Sequence, residues 1–210
     1  MTQRSLERIS LPGGTEICLT VAAPESAVRG GIVVAPEARG VTDAVWRLAA
    51  GLASEGWLAV IPYLYHGDGG DDSESVHAGI DAAFRWLAQR GLAADRIGVM
   101  GFGLGGAVAL ISATERDFGA AVTIGGIGIV QPVIDTLPAL VDVAPNLRCP
   151  WLGIYSRDGE VTAEEVDKLR DAAHSARVAT DLVYCCFDTD QSVAPEAWAR
   201  TLNWFDCHLR

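Results

Sequence analysis

A mostly parallel α/β sheet, with helices on both faces and an antiparallel N-terminal edge, is the fold class this 210-residue sequence predicts. Three observations carry the prediction. Apolar, β-branched runs alternate with helix-period patterns five times along the chain. Those runs are apolar throughout, not at every second residue, as strands covered on both faces require. Only the first thirty residues break the alternation, with two strand-like segments flanking Pro12-Gly13-Gly14.

The elements follow in order. Leu6 to Ile9 and Glu16 to Ala22 read as a hairpin at the sheet edge. Gly31-Ile-Val-Val-Ala-Pro36 reads as a buried strand between turn residues. Val41 to Glu55 is a helix with Val45, Leu48, Ala49 and Leu52 on one face. Trp57 to Pro62 is a strand, and His66 to Asp72 a Gly/Asp loop. Ser73 to Arg90 is a second amphipathic helix, with Val76, Ile80, Phe84 and Leu87 in line. Arg96 to Gly101 is a strand, Leu104 to Glu115 a helix, and Gly119 to Ile124 a strand. Gly125 to Asn146 reads as a long irregular connection, a kind of segment that is often functional. Pro150 to Tyr155 is a strand, Thr162 to Ser175 a helix, and Asp181 to Phe187 the last strand. Pro195 to Leu209 closes the chain as a helix, with Trp198, Leu202, Phe205 and Leu209 aligned. No linker or repeat divides this order, so residues 1–210 read as one domain large enough to bury a core without disulfides.

Composition narrows the function classes. Sixteen Lys+Arg against 27 Asp+Glu leave a net charge of −11, and Lys168 is the one lysine. Such a surface repels nucleic acid and anionic membranes. The remaining partner classes are a small-molecule ligand or substrate, a protein partner, or a second copy of the chain. The five cysteines, Cys18, Cys149, Cys185, Cys186 and Cys207, are odd in number and lack zinc-site spacing. Most read as small apolar core residues in a reducing compartment. The first residues lack a secretory apolar stretch, and no run reaches 18 apolar residues. A cytoplasmic location is the expectation, with no cofactor implied.

The sharpest local feature is Met100-Gly101-Phe102-Gly103-Leu104-Gly105-Gly106, between a strand and a helix. Two motifs share that context. One is the strand–turn–helix elbow, Gly101-x-103-x-Gly105, which lifts its central residue above the sheet. The backbone N–H of the next residue, Leu104, then serves as an oxyanion donor. The other is a dinucleotide fingerprint, Gly101-x-Gly103-x-x-Gly106. Its context is unfavourable. It normally opens the first strand–helix unit and needs an acid at the end of the next strand, which here reads Thr123-Ile-Gly-Gly.

Four segments, in order, resemble the dienelactone hydrolases of the α/β-hydrolase fold, from about residue 28 to the C-terminus. Val33-Val-Ala-Pro-Glu37-Ala-Arg-Gly40-Val is similar to the family's glutamate-bearing strand and loop. Gly56-Trp-Leu-Ala-Val-Ile-Pro62-Tyr-Leu-Tyr65 resembles its G-Y-x-A-x-x-P-D-L-Y strand. Gly98-Val-Met-Gly-Phe-Gly-Leu-Gly-Gly106 resembles its G-x-x-G-x-C-x-G-G elbow, and Tyr155-Ser-Arg-Asp158 its G-x-x-D turn. The resemblance implies an α/β-hydrolase fold and a Cys/Asp/His triad.

Residue by residue, that triad is incomplete. The acid falls on Asp158. The nucleophilic cysteine falls on Gly103, which has no side chain to attack with. The histidine falls on Gln191, or with a shift of a residue or two on Asp190 or Thr189, and none of these is an imidazole base. A substrate arginine four residues later falls on Pro195, and the segment carrying a second one is shortened to His66–Asp72. Glu37 matches the glutamate that pairs with the resting thiol. Here it pairs with Arg39, lines an emptied pocket, or is simply solvated. His66 follows a strand end on the side where open α/β sheets bind ligands, facing either the pocket or water. His77 reads as exposed on a helix, His174 as a helix-end cation, and His208 as near-terminal. Ser156, Ser192 and Thr189 lack a partnered base in sequence. Asp68, Asp71 and Asp72 lack the glutamate and spacing of a calcium loop, so no metal site is expected. A binding protein without the standard chemistry is therefore the first expectation, and a hydrolase with relocated groups the second.

Overall fold

The strand order puts the elbow near the middle of the molecule. The computed structural model describes residues 3–10, 16–35, 41–64, 73–134, 136–185 and 194–210, the side chains at 3, 64 and 73–76 excepted. The strands among the described residues are β1 (Gln3–Ser10), β2 (Glu16–Ala23), β3 (Gly30–Ala35), β4 (Trp57–Leu64), β5 (Ile97–Phe102), β6 (Ala120–Ile124), β7 (Trp151–Tyr155) and β8 (Thr180–Tyr184). They form one sheet in the order β1-β2-β4-β3-β5-β6-β7-β8. β2 runs antiparallel to both β1 and β4, and every other pairing is parallel. The expected antiparallel N-terminal edge is thus present, with β1 outermost.

The helices among the described residues are α1 (Asp43–Ser54), α2 (Ser73–Gln89), α3 (Gly103–Glu115), α4 (Leu140–Val143), α5 (Ala163–His174) and α6 (Pro195–His208). Two cores separate across the sheet. One joins the sheet to α2, α3 and α5 through Ile80, Leu87, Val108, Leu110, Trp151, Tyr155, Val166 and Leu169. The other joins it to α1 and α6 through Val45, Leu48, Leu52, Trp57, Met100, Ile154 and Phe205. The parallel strands alternate between these two apolar layers, so their sequences read as unbroken apolar runs. β3 is buried at all six positions.

Helix boundaries have local causes. α1 starts at Asp43, two residues later than the apolar pattern begins, because Thr42 caps it: the Val45 N–H donates to Thr42 Oγ1 at 3.3 Å. α5 carries a full capping box. The Glu165 N–H donates to Thr162 Oγ1 at 3.3 Å, and the Thr162 N–H donates to the Glu165 carboxylate at 3.1 Å. Thr162→Ala is expected to cost about 1 kcal/mol, read as a lower urea midpoint at unchanged slope.

Three expectations need correction. The last strand, expected to run to Phe187, is described to Tyr184: Cys185 falls outside it although its N–H still donates to the Tyr155 carbonyl at 2.8 Å, and residues 186–193 lie outside the described residues. The connection from Gly125 to Asn146 is not wholly irregular. It contains α4 and a 3₁₀ turn at Ala144–Asn146, tied back by Leu140 N–H to Gly128 O at 3.0 Å and Val141 N–H to Ile129 O at 3.1 Å. His77 is not exposed but half-buried, because its Nδ1 lies 3.3 Å from Glu115 Oε2 at the end of α3.

The tryptophans expected in the core divide. Trp57 and Trp86 are buried, while Trp46 and Trp198 pack half-buried over α1 and α6. Cys18, Cys149 and Cys185 are buried and Cys207 is exposed. Burial, and secondarily Asp117, push the Cys149 thiol up to about 12. At pH 8 its thiolate is therefore scarce, and iodoacetamide is expected to label Cys207 in the folded protein while leaving Cys149 unmodified, by peptide mass mapping.

Candidate functional site: the strand–helix elbow

β5 passes directly into α3, with Phe102 as N-cap in an extended conformation. The turn is tight enough to demand glycine at two points. A Cβ on Gly101 would lie 2.3 Å from the Gly105 carbonyl oxygen and 2.4 Å from its carbon. Gly103, at the apex, has φ +48°, in the left-handed region. The neighbouring layers press equally close: a Cβ on Gly106 would meet the Gly101 oxygen at 3.1 Å and Thr123 Cγ2 at 3.2 Å.

The first turn of α3 has no side-chain cap and no acidic residue. The N–H groups of Gly103, Leu104 and Gly105 thus have no acceptor within the helix itself, and the helix dipole favours an anionic or partly negative oxygen there. Leu104 is half-buried and packs on the α2/α3/α5 core. The loop after β6 closes over the other side, where the Ile127 N–H donates to the Gly103 carbonyl at 3.4 Å.

Beneath the elbow lies a buried polar chain that the sequence reading missed. The Trp151 indole N–H donates to Thr123 Oγ1 at 3.0 Å, and the Thr123 hydroxyl donates to the Gly106 carbonyl at 3.0 Å. Thr123 and Trp151 are both fully buried. Tyr155, two residues beyond the β7 glycine, is also buried, and its hydroxyl has no hydrogen-bond partner among the described residues. Burial holds it protonated well above the usual tyrosine range. The available signal was the spacing of Trp151, Gly153 and Tyr155, which places all three on the face of β7 that Thr123 shares on β6.

Asp158 lies in the turn after β7, two strands from β5, and is exposed. Its backbone N–H donates to Ser156 Oγ at 3.2 Å, so that hydroxyl serves the turn. The preceding Arg157 guanidinium lies over the Tyr184 ring, 4.4 Å from its centre, which anchors the turn to β8. Among the described residues the Asp158 carboxylate has no hydrogen-bond or ion-pair partner.

The described histidines lie far from the elbow. His77 pairs with Glu115, twelve residues along α3 from Gly103, a helix length of about 18 Å. His208 packs tilted against the Trp204 ring at the end of α6, and two residues on the Arg210 N–H donates to Asp95 O, at the amino end of the strands. Burial, and secondarily Arg210, hold His208 below the usual imidazole range. His174 closes α5 in an exposed position. The structure thus brings Gly103 and Leu104 together at the elbow and places Asp158 on a neighbouring turn. Glu37, His66 and Gln191 lie outside the described residues, as do Thr189, Asp190, Ser192 and the aspartates at 68, 71 and 72. Among the described residues no group of three His, Cys, Asp or Glu is placed to hold a metal. No described helix is long and apolar enough to cross a membrane.

A sheet in this order, with the elbow between its fifth strand and third helix, has close relatives. A model of the dienelactone hydrolase family matches residues 18–209. The chain belongs to the dienelactone hydrolase family. It is 28% identical over 204 residues to a Salmonella typhi protein named "Putative carboxymethylenebutenolidase", covering 83% of this chain and 76% of that one. It is 26% identical to the carboxymethylenebutenolidase of Rhodococcus opacus, covering 98% of this chain and 92% of that one. The crystal structure of a "Putative Dienelactone Hydrolase" from Klebsiella pneumoniae superposes with a TM-score of 0.81 at 25% identity, covering 97% and 99% of the two chains. The α/β-hydrolase fold and the family expected from four short segments are therefore established over nearly the whole chain.

Proposed function

We propose that this member of the dienelactone hydrolase family binds a small molecule through a carbonyl or carboxylate oxygen at the elbow and does not hydrolyse it by a covalent route. The carrying observation is Gly103, at the apex of the elbow with φ +48° and no side chain. A hydrolase of this plan attacks with the side chain at that position. The rest of the triad is consistent with the same reading. The sequence places Gln191 at the histidine position, and the carboxylate of Asp158, the retained acid position, is exposed and unpaired among the described residues. Ligand contacts fall to the Leu104 N–H, with Glu37 and His66 assigned to the pocket from sequence. The relatives' names favour a lactone or the acid it opens to as the small molecule.

A second reading is an ester or lactone hydrolase with relocated groups, in which Glu37, Asp158 or His66 activates water. The uncapped N–H groups of the first turn of α3 favour it, since an oxyanion site and positioning alone sustain roughly 10³–10⁴-fold over water. Nucleotide binding at Gly101–Gly106 has less support, because β6 ends in Ile124 followed by two glycines, with no acid for a ribose.

Purified protein assayed on aryl esters and a dienelactone is expected to show no burst of product. Any slow turnover should survive Asp158→Ala and His66→Ala. Turnover that either substitution abolishes would establish the hydrolase reading instead.

A further inference from the structure

Thr123 is in an unusual position for a β-strand threonine. It is wholly buried, and both hydrogen-bonding functions of its hydroxyl are committed. An indole nitrogen only donates, so the Trp151 N–H occupies a lone pair of Thr123 Oγ1. That leaves the hydroxyl proton free to point one way, onto the Gly106 carbonyl. Gly106 belongs to the first turn of α3, and its carbonyl receives this bond in addition to its place in the helix ladder. The same threonine's methyl group sits where a Cβ on Gly106 or Gly126 would fall, 3.2 and 2.5 Å away. One side chain therefore grips the first helical turn by both a hydrogen bond and a steric contact.

We propose that Thr123, oriented by Trp151, is a positioning residue that sets the direction of the elbow's N–H groups by tethering the Gly106 carbonyl to β6. The inference rests on the reading of the elbow as the ligand site. It adds to that reading the residues that aim its donors. Among the described residues no cap and no charged group does this from the helix end, where the first turn of α3 has neither side-chain cap nor acid. The aim is instead held from below, out of solvent, where a hydrogen bond does not compete with water.

Two measurements on the full chain separate the proposal from the reading beneath it. The first is amide hydrogen exchange in Thr123→Val, nearly isosteric, with Thr123→Ser as the variant that keeps the hydroxyl. In Thr123→Val, exchange at Ala107 and Val108 is expected to quicken at least 10-fold, with Ile111 and Ser112 within about 2-fold of the unmodified protein. Trp151→Phe should move the same amides in the same direction, and Thr123→Ser should restore them. Unchanged first-turn exchange, or an equal acceleration along all of α3 and β6, would overturn the proposal in favour of a merely structural bond.

The second measurement titrates benzoate and follows the Leu104 and Gly105 amide shifts. Binding that is at least 5-fold weaker in Thr123→Val and restored in Thr123→Ser supports the tether as a ligand-positioning device. Equal binding in the unmodified protein and Thr123→Val overturns it. Unmodified protein whose Leu104 and Gly105 amides ignore benzoate overturns the ligand reading, and with it the ligand-positioning role, whatever the exchange result.

Discussion

Gly101→Ala is expected to lose at least about 3 kcal/mol of stability, the upper range of overpacking costs. The reason is the identity of the obstructing atoms. A methyl group at Gly101 would sit 2.3 Å from the Gly105 carbonyl oxygen and 2.4 Å from the carbon. Both are backbone atoms in the first turn of a helix whose next eight residues are all buried. No rotamer change relieves the clash, so α3 must move off β5 or the turn must open. Against a total stability of about 5–15 kcal/mol this is a large fraction. In urea it should appear as a midpoint lowered by about 1 M or more, for slopes of about 1–3 kcal/mol/M. An unchanged midpoint would show that β5 and α3 do not meet in the close elbow described.

Gly103→Cys is expected to convert the elbow into an acylating site. Product should burst to about one equivalent when the variant meets p-nitrophenyl acetate, where the unmodified protein gives none. The physical case is positional. The apex of the turn lies at the amino end of α3, a 13-residue helix with no acid in its first turn, and such a terminus lowers a thiol's pKa. On the proposed reading of the elbow, the Leu104 N–H is the donor to the developing oxyanion. The backbone sets the cost: φ +48° is unfavourable for any residue with a Cβ, by about 1–3 kcal/mol, so the variant should also unfold earlier. Deacylation should remain slow, because no described histidine stands near Gly103. Adding Gln191→His should quicken turnover by about 10²-fold or more, the usual worth of a positioned general base. A Gly103→Cys protein that folds but gives no burst would mean that the donors at the elbow are not aimed at an acyl oxygen.

The two variants act on different properties of one turn. Gly101 is required for the elbow to exist, whereas Gly103 determines what the elbow can do. The family relationship accounts for the first requirement, since relatives that superpose along nearly the whole chain share the sheet. It does not account for the second. On the proposed function, an elbow in this geometry without a nucleophile holds a substrate-like oxygen without breaking the bond next to it.

The helices and strands were legible because their causes are local. Val45, Leu48, Ala49 and Leu52 lie at helical spacing and are all buried on α1, and the alternating segments map onto the strands to within a few residues. The end of β8 differs from the expectation at Cys185, which falls outside the strand, while Cys186 and Phe187 lie outside the described residues. The regular pairing register with β7 ends at Tyr184. The short helix at Leu140–Val143 was missed because four residues carry too little periodicity to register.

By itself the sequence determined the fold class, the order of the elements, the position of the elbow, and the absence of a nucleophilic side chain at its apex. Each follows from spacing and turn chemistry within a dozen or so residues. Only the tertiary structure decided that Trp151, Thr123 and Gly106 form one buried chain, that Asp158 is exposed, and that His77, His174 and His208 are remote from Gly103. Those facts depend on which strands are neighbours and in what register. Sheet order joins residues 28 and 17 positions apart that no local pattern connects.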